Sequence, residues 1–160
     1  MKLDSRDIAI LQVLIDEGRI AKTALAEKVN LSPTPCWNRL RKMEEAGVIS
    51  GYRAQVDLRR IAPHTSVFVA AELRDHTAPS FARFESAVQG IEEITGCWAV
   101  GGGYDYLMQV IAPDIDAFQR FMDGLLERDI GLARYFSYIV TKPVKGPASP
   151  PLAALVAAKD

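Results

Sequence analysis

Histidine and cysteine are scarce in this chain of 160 residues, with two of each: His64, His76, Cys36 and Cys97. No C-x-x-C occurs, and neither histidine stands at a zinc-site spacing from a cysteine, so neither a metal nor a cofactor is expected. Long apolar runs are missing too. No stretch approaches the roughly 18 apolar residues of a membrane span, and no membrane partner is expected. The opening Met-Lys-Leu-Asp-Ser-Arg-Asp is charged and holds no apolar core of signal-peptide length, which points to the cytoplasm. A nucleophile elbow, a P-loop and paired carboxylates are also lacking. A cysteine-dependent enzyme, built on a Cys36–His64 or Cys97–His76 couple, is therefore the weakest reading.

What is present is ordinary globular material, 49% apolar and 24% charged, long enough for one large domain or two small ones. The net charge of −1 hides an asymmetry. Residues 1–60 hold 11 Lys/Arg against 8 Asp/Glu, a net +3, and residues 61–160 hold 8 against 12, a net −4. A basic part on an acidic remainder suits a chain of which one part meets phosphate.

Local patterning predicts a domain over 1–60. Asp4 caps a first helix with Ile8, Leu11, Leu14 and Ile15 as its apolar stripe, ending at Gly18 where a positive φ costs little. A short second helix fits Thr23 to Val29. Ser32-Pro33, a serine N-cap before a first-turn proline, opens a third that runs to about Ala46 and stops at Gly47. Val48-Ile49, Gly51-Tyr52 and Ala54-Gln55-Val56 read as a β-hairpin, which completes a winged helix-turn-helix.

Pro63 marks a linker, and the pattern then changes. Strands at Val67–Leu73, Ile94–Val100, Tyr104–Ile111 and Tyr135–Val140 alternate with two helices. One is carried by Phe81, Phe84 and Val88, the other by Asp114 and the stripe Ile115, Phe118, Phe121, Met122, Leu125. The fold class is therefore α+β, with a ferredoxin-like βαββαβ sandwich over 64–142. Two helices cover one sheet face only. The other, with residues such as Trp98 or Tyr135, calls for a second copy of the chain, so at least a dimer is expected. Residues 143–160 read as a Pro-rich loose tail, with a short helix from Leu152 to Ala158.

On the third helix, Leu40, Met43 and Gly47 fall within about 40° of Cys36 and form the buried stripe with it, which makes Cys36 a small core residue. Thr34, Asn38, Arg41, Lys42 and Glu45 lie opposite. The first four offer the donors that base edges and phosphates accept. Ser32 stands at the helix N-terminus, whose free N–H groups suit phosphate. Trp37, on the flank, packs half-buried against the second helix or wing, or touches sugar and thymine methyl groups. Arg39 flanks the other side and is expected to reach the DNA backbone; Lys22 and Arg53 are further phosphate candidates.

The run S-P-T-P-C-W-N-R-L-R-K-M-E-E-A-G-V-I, Ser32 to Ile49, resembles the recognition helix of the Lrp/AsnC (feast/famine) family of bacterial and archaeal regulators. L-D-x-x-D-x-x-I-L-x-x-L, Leu3 to Leu14, is similar to that family's first helix, and G-G-G-Y-D-Y-L-M-Q-V, Gly101 to Val110, to its G-x-x-D-Y turn and strand. The resemblance runs in the family's order to about Lys145. It departs at Ala21, where a Ser-type cap is usual, and at Tyr135, where a small hydroxyl residue is frequent.

That resemblance implies a sequence-specific DNA-binding transcription regulator. Its partners would be double-stranded DNA, further copies of itself, and a small effector, most simply an amino acid, bound at contacts between dimers. The implied effector site comprises Gly101, Gly103, Tyr104, Asp105 and Ser137. Glycines let backbone amides approach a carboxylate, and a lone Asp pairs with an α-ammonium group. The plainer alternative is that the glycines form a hairpin connection which Asp105 caps. A metabolite-sensing assembly protein that makes no direct DNA contact is the other open reading.

Overall fold

The computed structural model describes residues 1–146 and 149–157 and divides the chain into two compact units. One is Met1–Gln55 together with the segment from Lys145 onward; the other is Val56–Val144.

In the first unit, helix α1 (Ser5–Asp16) starts in a capping box. The Asp4 carboxylate accepts from the Arg6 and Asp7 amides, and the Asp7 carboxylate accepts in return from the Asp4 amide. The helix stops at Glu17, and Gly18 follows without the positive φ expected of it. Helix α2 (Lys22–Lys28) has Ala21 at its N-cap and so lacks a side-chain cap. In α3 (Pro33–Glu45), Ser32 occupies the N-cap but its hydroxyl makes no capping bond, contrary to the expected serine cap.

The end of α3 overturns the hairpin. Gly47 takes φ 68°, and its amide donates to Glu44 O at 3.0 Å while the Val48 amide donates to Met43 O at 2.9 Å, a Schellman pair. The Ile49 amide turns back to the same Met43 carbonyl. The amides of the expected first arm are thus engaged in ending a helix, and residues 48–56 form no strand.

Ile10, Leu25, Ala26, Cys36, Leu40 and Met43 make the core of this unit. Ile10, absent from the expected stripe, is the deepest residue of α1, whereas Ile15 stays exposed. Helix α1 is apolar on two sides. Ile8, Leu11 and Ile15 line a groove of about 850 Å³ whose far wall is Leu152, Leu155 and Val156 of α6 (Leu152–Ala157). The Ser149 hydroxyl also donates to the Asp16 carboxylate. The segment expected as a loose tail therefore packs on the first unit; Ala158, the expected end of its helix, lies outside the described residues.

The second unit opens with a 3₁₀ turn at Leu58–Arg60. Then follow β1 (Thr65–Leu73), α4 (Ala78–Gln89), β2 (Ile94–Ala99), β3 (Tyr106–Ala112), α5 (Ile115–Glu127) and β4 (Leu132–Ile139). The strands pair antiparallel in the order β2-β3-β1-β4, the expected split sandwich. Thr77 caps α4, and Asp114 caps α5 by accepting from the Ala117 amide at 2.7 Å. Val67, Val69, Ala71 and Leu73 of β1 and Met108 and Val110 of β3 face Phe84 and Val88 of α4 and Phe118, Met122 and Leu125 of α5. Full burial of one such side chain stabilises the fold by about 1.5–3 kcal/mol.

Candidate nucleic-acid interface and effector site

Helix α3 is rotated as its periodicity requires. Cys36, Leu40 and Met43 are buried, while Thr34, Asn38, Arg41, Lys42 and Glu45 are exposed along the opposite side. Arg41 Nε lies 3.2 Å from Glu45 Oε1, an exposed i,i+4 pair of the kind that contributes little and yields readily to phosphate. Trp37 packs against α2, with Lys22 Nζ 3.3 Å from the centre of its ring. A cation–π contact thus holds the two residues together at the seam of the helix-turn-helix. Ser32 is exposed, as is Arg53, which follows α3 on a stretch without regular structure.

Arg39 departs from expectation. Its Nη1 lies 2.8 Å from Asp7 Oδ1 and 2.7 Å from Asp4 Oδ2, so it faces α1 and not the solvent beyond α3. Asp7 is buried, and a buried carboxylate needs a hydrogen-bonded cation. Hydrogen bonds to Asp7 and then Asp4 push the guanidinium above its ordinary value; the Asp7 amide, followed by Arg39, holds the Asp4 carboxyl below its own. The sequence did carry a signal for this clamp. Asp7 sits one turn before Ile10, on the buried side of α1, where an acid demands a partner.

In the second unit, residues 100–105 join β2 to β3. Gly102 takes φ 140°, which favours glycine, while a Cβ at Gly101 or Gly103 would meet open space. All three are exposed, so their backbone is within reach of a ligand or a second chain. Asp105 is already engaged. Its amide donates to Ala71 O at 3.0 Å, its Oδ2 accepts from the Leu73 amide at 2.8 Å, and its Oδ1 faces His76 Nε2 at 3.1 Å. The carboxylate thus engages the end of β1 and the loop after it, not the amides of the glycine turn, and His76 is a partner that no spacing in the sequence announced.

Tyr104 rests against Phe136, ring centroids 5.5 Å apart, and its hydroxyl holds that of Tyr138 above the ordinary value. Ser137 lies between these two residues on β4 and so points to the opposite side. It is opposite Val69, whose side chain faces the helices. One chain alone therefore brings Tyr104 and Asp105 together on the turn but does not gather Ser137 with Tyr104.

The helix-free face of the sheet carries Phe68, Ala70, Leu107, Trp98, Phe136 and Tyr138, placed together by the pairs Phe68–Tyr138, Ala70–Phe136 and Trp98–Leu107. Trp98 is 50% exposed, Phe136 45% and Tyr138 53%, too much apolar surface for a face turned only to water. Tyr135 is corrected here: it pairs with Ala71 and packs against the core on the helix side. Burial pushes the Cys36 thiol up, and burial followed by Glu85 does the same at Cys97, the reverse of an activated thiolate. Among the described residues no helix is long and apolar enough to cross a membrane.

Comparison with known proteins accounts for both units. Residues 3–50 match the winged helix-turn-helix DNA-binding family, and residues 66–149 the Lrp/AsnC ligand binding domain. The chain is 51% identical over 149 residues to the transcriptional regulatory protein DoeX of Halomonas elongata, covering 93% of this chain and 94% of that one. It is 37% identical over 143 residues to the leucine-responsive regulatory protein of Escherichia coli, covering 89% and 87%. A Neisseria meningitidis transcriptional regulator, solved as a complex with L-methionine, superposes with a TM-score of 0.89 at 34% identity, covering 96% of this chain and 99% of that one. An AsnC family regulator from Agrobacterium tumefaciens gives 0.88 at 32%, with the same coverage. Both units thus have their counterparts in those regulators, and the chain belongs to the Lrp/AsnC family of DNA-binding transcription regulators.

Proposed function

We propose that the protein binds double-stranded DNA as a dimer or larger assembly, through the exposed face of α3, and that an amino acid tunes this binding at the Gly101–Asp105 turn. The observation that carries the reading is the row Thr34, Asn38, Arg41 and Lys42, exposed opposite the buried Cys36, Leu40 and Met43. Such a helix presents hydroxyl, amide and cationic donors to the major groove while its other side holds the domain together. Ser32 and Arg53 supply phosphate contacts at its two ends. Lys22 and Trp37 act as a pair that orients α2 against α3, leaving Arg39 as a clamp to α1. The setting for such a regulator is the cytoplasm, and its role is regulatory rather than catalytic.

Two considerations support the assembly and the effector. The apolar sheet face with Trp98 and Phe136 suits a second copy, and two-fold symmetry asks for a pseudo-palindromic operator. The Neisseria relative is described with L-methionine, and the Escherichia coli relative is named for leucine. Glycine amides at Gly101 and Gly103 suit a carboxylate and Asp105 an ammonium. Ser137 would then contribute its hydroxyl from another copy of the chain, since it points away from Tyr104.

The test is fluorescence anisotropy with duplex DNA from upstream of the protein's own gene, at fixed salt, with unrelated competitor DNA and each of the twenty amino acids. Specific binding that an amino acid shifts is the expected result. Binding equal to that of competitor DNA would instead favour an assembly protein that senses a metabolite without reading DNA.

A further inference from the structure

An incoming ammonium group, on the reading above, is received by Asp105, yet both oxygens of that carboxylate have partners in the chain. The two partners differ in kind. The Leu73 amide, on Oδ2 at 2.8 Å, is backbone at the end of β1 and is held by the strand. His76 Nε2, at 3.1 Å from Oδ1, belongs to a side chain 57% exposed on the loop between β1 and α4. The ring also approaches Phe81 edge-on, ring centroids 6.2 Å apart. Displacing the amide would leave a strand-end donor unpaired, whereas the imidazole can turn into water and be solvated there.

We propose that His76 is a binding-site residue that stands in for the effector's ammonium group, occupying Asp105 Oδ1 in the free protein and leaving it when an amino acid binds. The inference rests on the amino-acid reading of the Gly101–Asp105 turn. It makes His76 a selectivity filter. A ligand without a cationic nitrogen has nothing to exchange for the imidazole, and the competition lowers every apparent affinity by the fraction of molecules in which Oδ1 is free.

The experiment is calorimetric titration of the full chain with L-methionine, then with the other nineteen amino acids, at one fixed pH. It uses wild type, His76→Ala, His76→Gln and Asp105→Asn, each checked for a normal thermal melt. His76→Ala should bind the amino acid roughly three- to tenfold more tightly than wild type. His76→Gln, which keeps a donor that can reach the carboxylate, should bind more weakly than His76→Ala. Asp105→Asn should bind none. Wild-type affinity in His76→Ala, with binding lost in Asp105→Asn, overturns the role of His76 and leaves the effector site standing. Undiminished binding by Asp105→Asn overturns both the stand-in and the placement of the ammonium. No binding by any variant overturns the amino-acid reading itself.

Discussion

Arg39 of α3 closes the N-terminus of α1, its Nη1 2.8 Å from Oδ1 of the buried Asp7. Asp4 completes the clamp at 2.7 Å from the same nitrogen. The pair explains why a cation on α3 turns inward: without Arg39 the Asp7 carboxylate would be buried with no cationic partner. Arg39→Ala should therefore lower Tm clearly, while DNA affinity measured well below Tm changes little. Arg39→Lys should restore only part of the stability, because one ammonium does not reproduce the guanidinium fork. Melting curves with anisotropy titrations decide it. Lost DNA affinity at unchanged Tm would return Arg39 to the reading face.

The same corner sets a pH dependence. The Asp7 amide and Arg39 hold the Asp4 carboxyl below its ordinary value of 3.8. A depressed carboxyl contributes stability that is complete above its unfolded-state value and is lost as pH falls through the lowered, folded-state one. The acid limb of the stability curve should therefore steepen below about pH 4. Asp4→Asn should flatten that limb in melts taken between pH 2 and pH 5, and an unaltered limb would place the acid sensitivity elsewhere.

On α3, neighbouring positions should fail in different ways. Leu40→Ala, at a buried site, should cost about 2–5 kcal/mol of stability. Arg41→Ala and Lys42→Ala should leave Tm near wild type and weaken operator binding by about 1–3 kcal/mol where a base contact is lost. Where the contact is to phosphate, the salt slope should fall by about one instead. Denaturant melts and titrations at several salt concentrations separate these outcomes. A wild-type melt for Leu40→Ala would mean that the helix is rotated otherwise.

The open sheet face makes a prediction about size. Sedimentation of the wild type should give at least a dimer at tens of micromolar. Phe136→Glu, which places a charge among Phe68, Ala70 and Trp98, should shift it towards monomer with its circular dichroism intact. A variant that assembles as the wild type does would show that copies meet on another surface.

Legibility from the sequence followed the range of the interactions. Asp4, Gly47 and Asp114 act within four residues of themselves, and the helices they bound lie where the sequence places them. The rotation of α3 was legible because it has one apolar side. Helix α1 has two, and periodicity does not rank Ile10 above Ile8 when a distant segment covers the second side. Val48, Ile49 and Tyr52 have the composition of a hairpin, but the Met43 carbonyl captured the amides that a ladder would need. In the candidate sites, Arg39 and Asp105 were recognised as polar and exposable, yet their partners Asp7 and His76 lie far off in sequence, and a long-range ion pair leaves no local spacing to read.

The packing of α6 on α1 has a consequence for synthesis. Met1–Gln55 emerges from the ribosome before Val56–Val144, and the helix that covers Ile8, Leu11 and Ile15 follows about 100 residues after Gln55. At about 5–20 residues per second that interval is roughly 5–20 s. A six-residue helix is too short to persist undocked, so it has no earlier folded form in which to wait. For those seconds the nascent helix-turn-helix shows water a row of aliphatic side chains, and a unit translated ahead of Val56–Val144 is finished only after it.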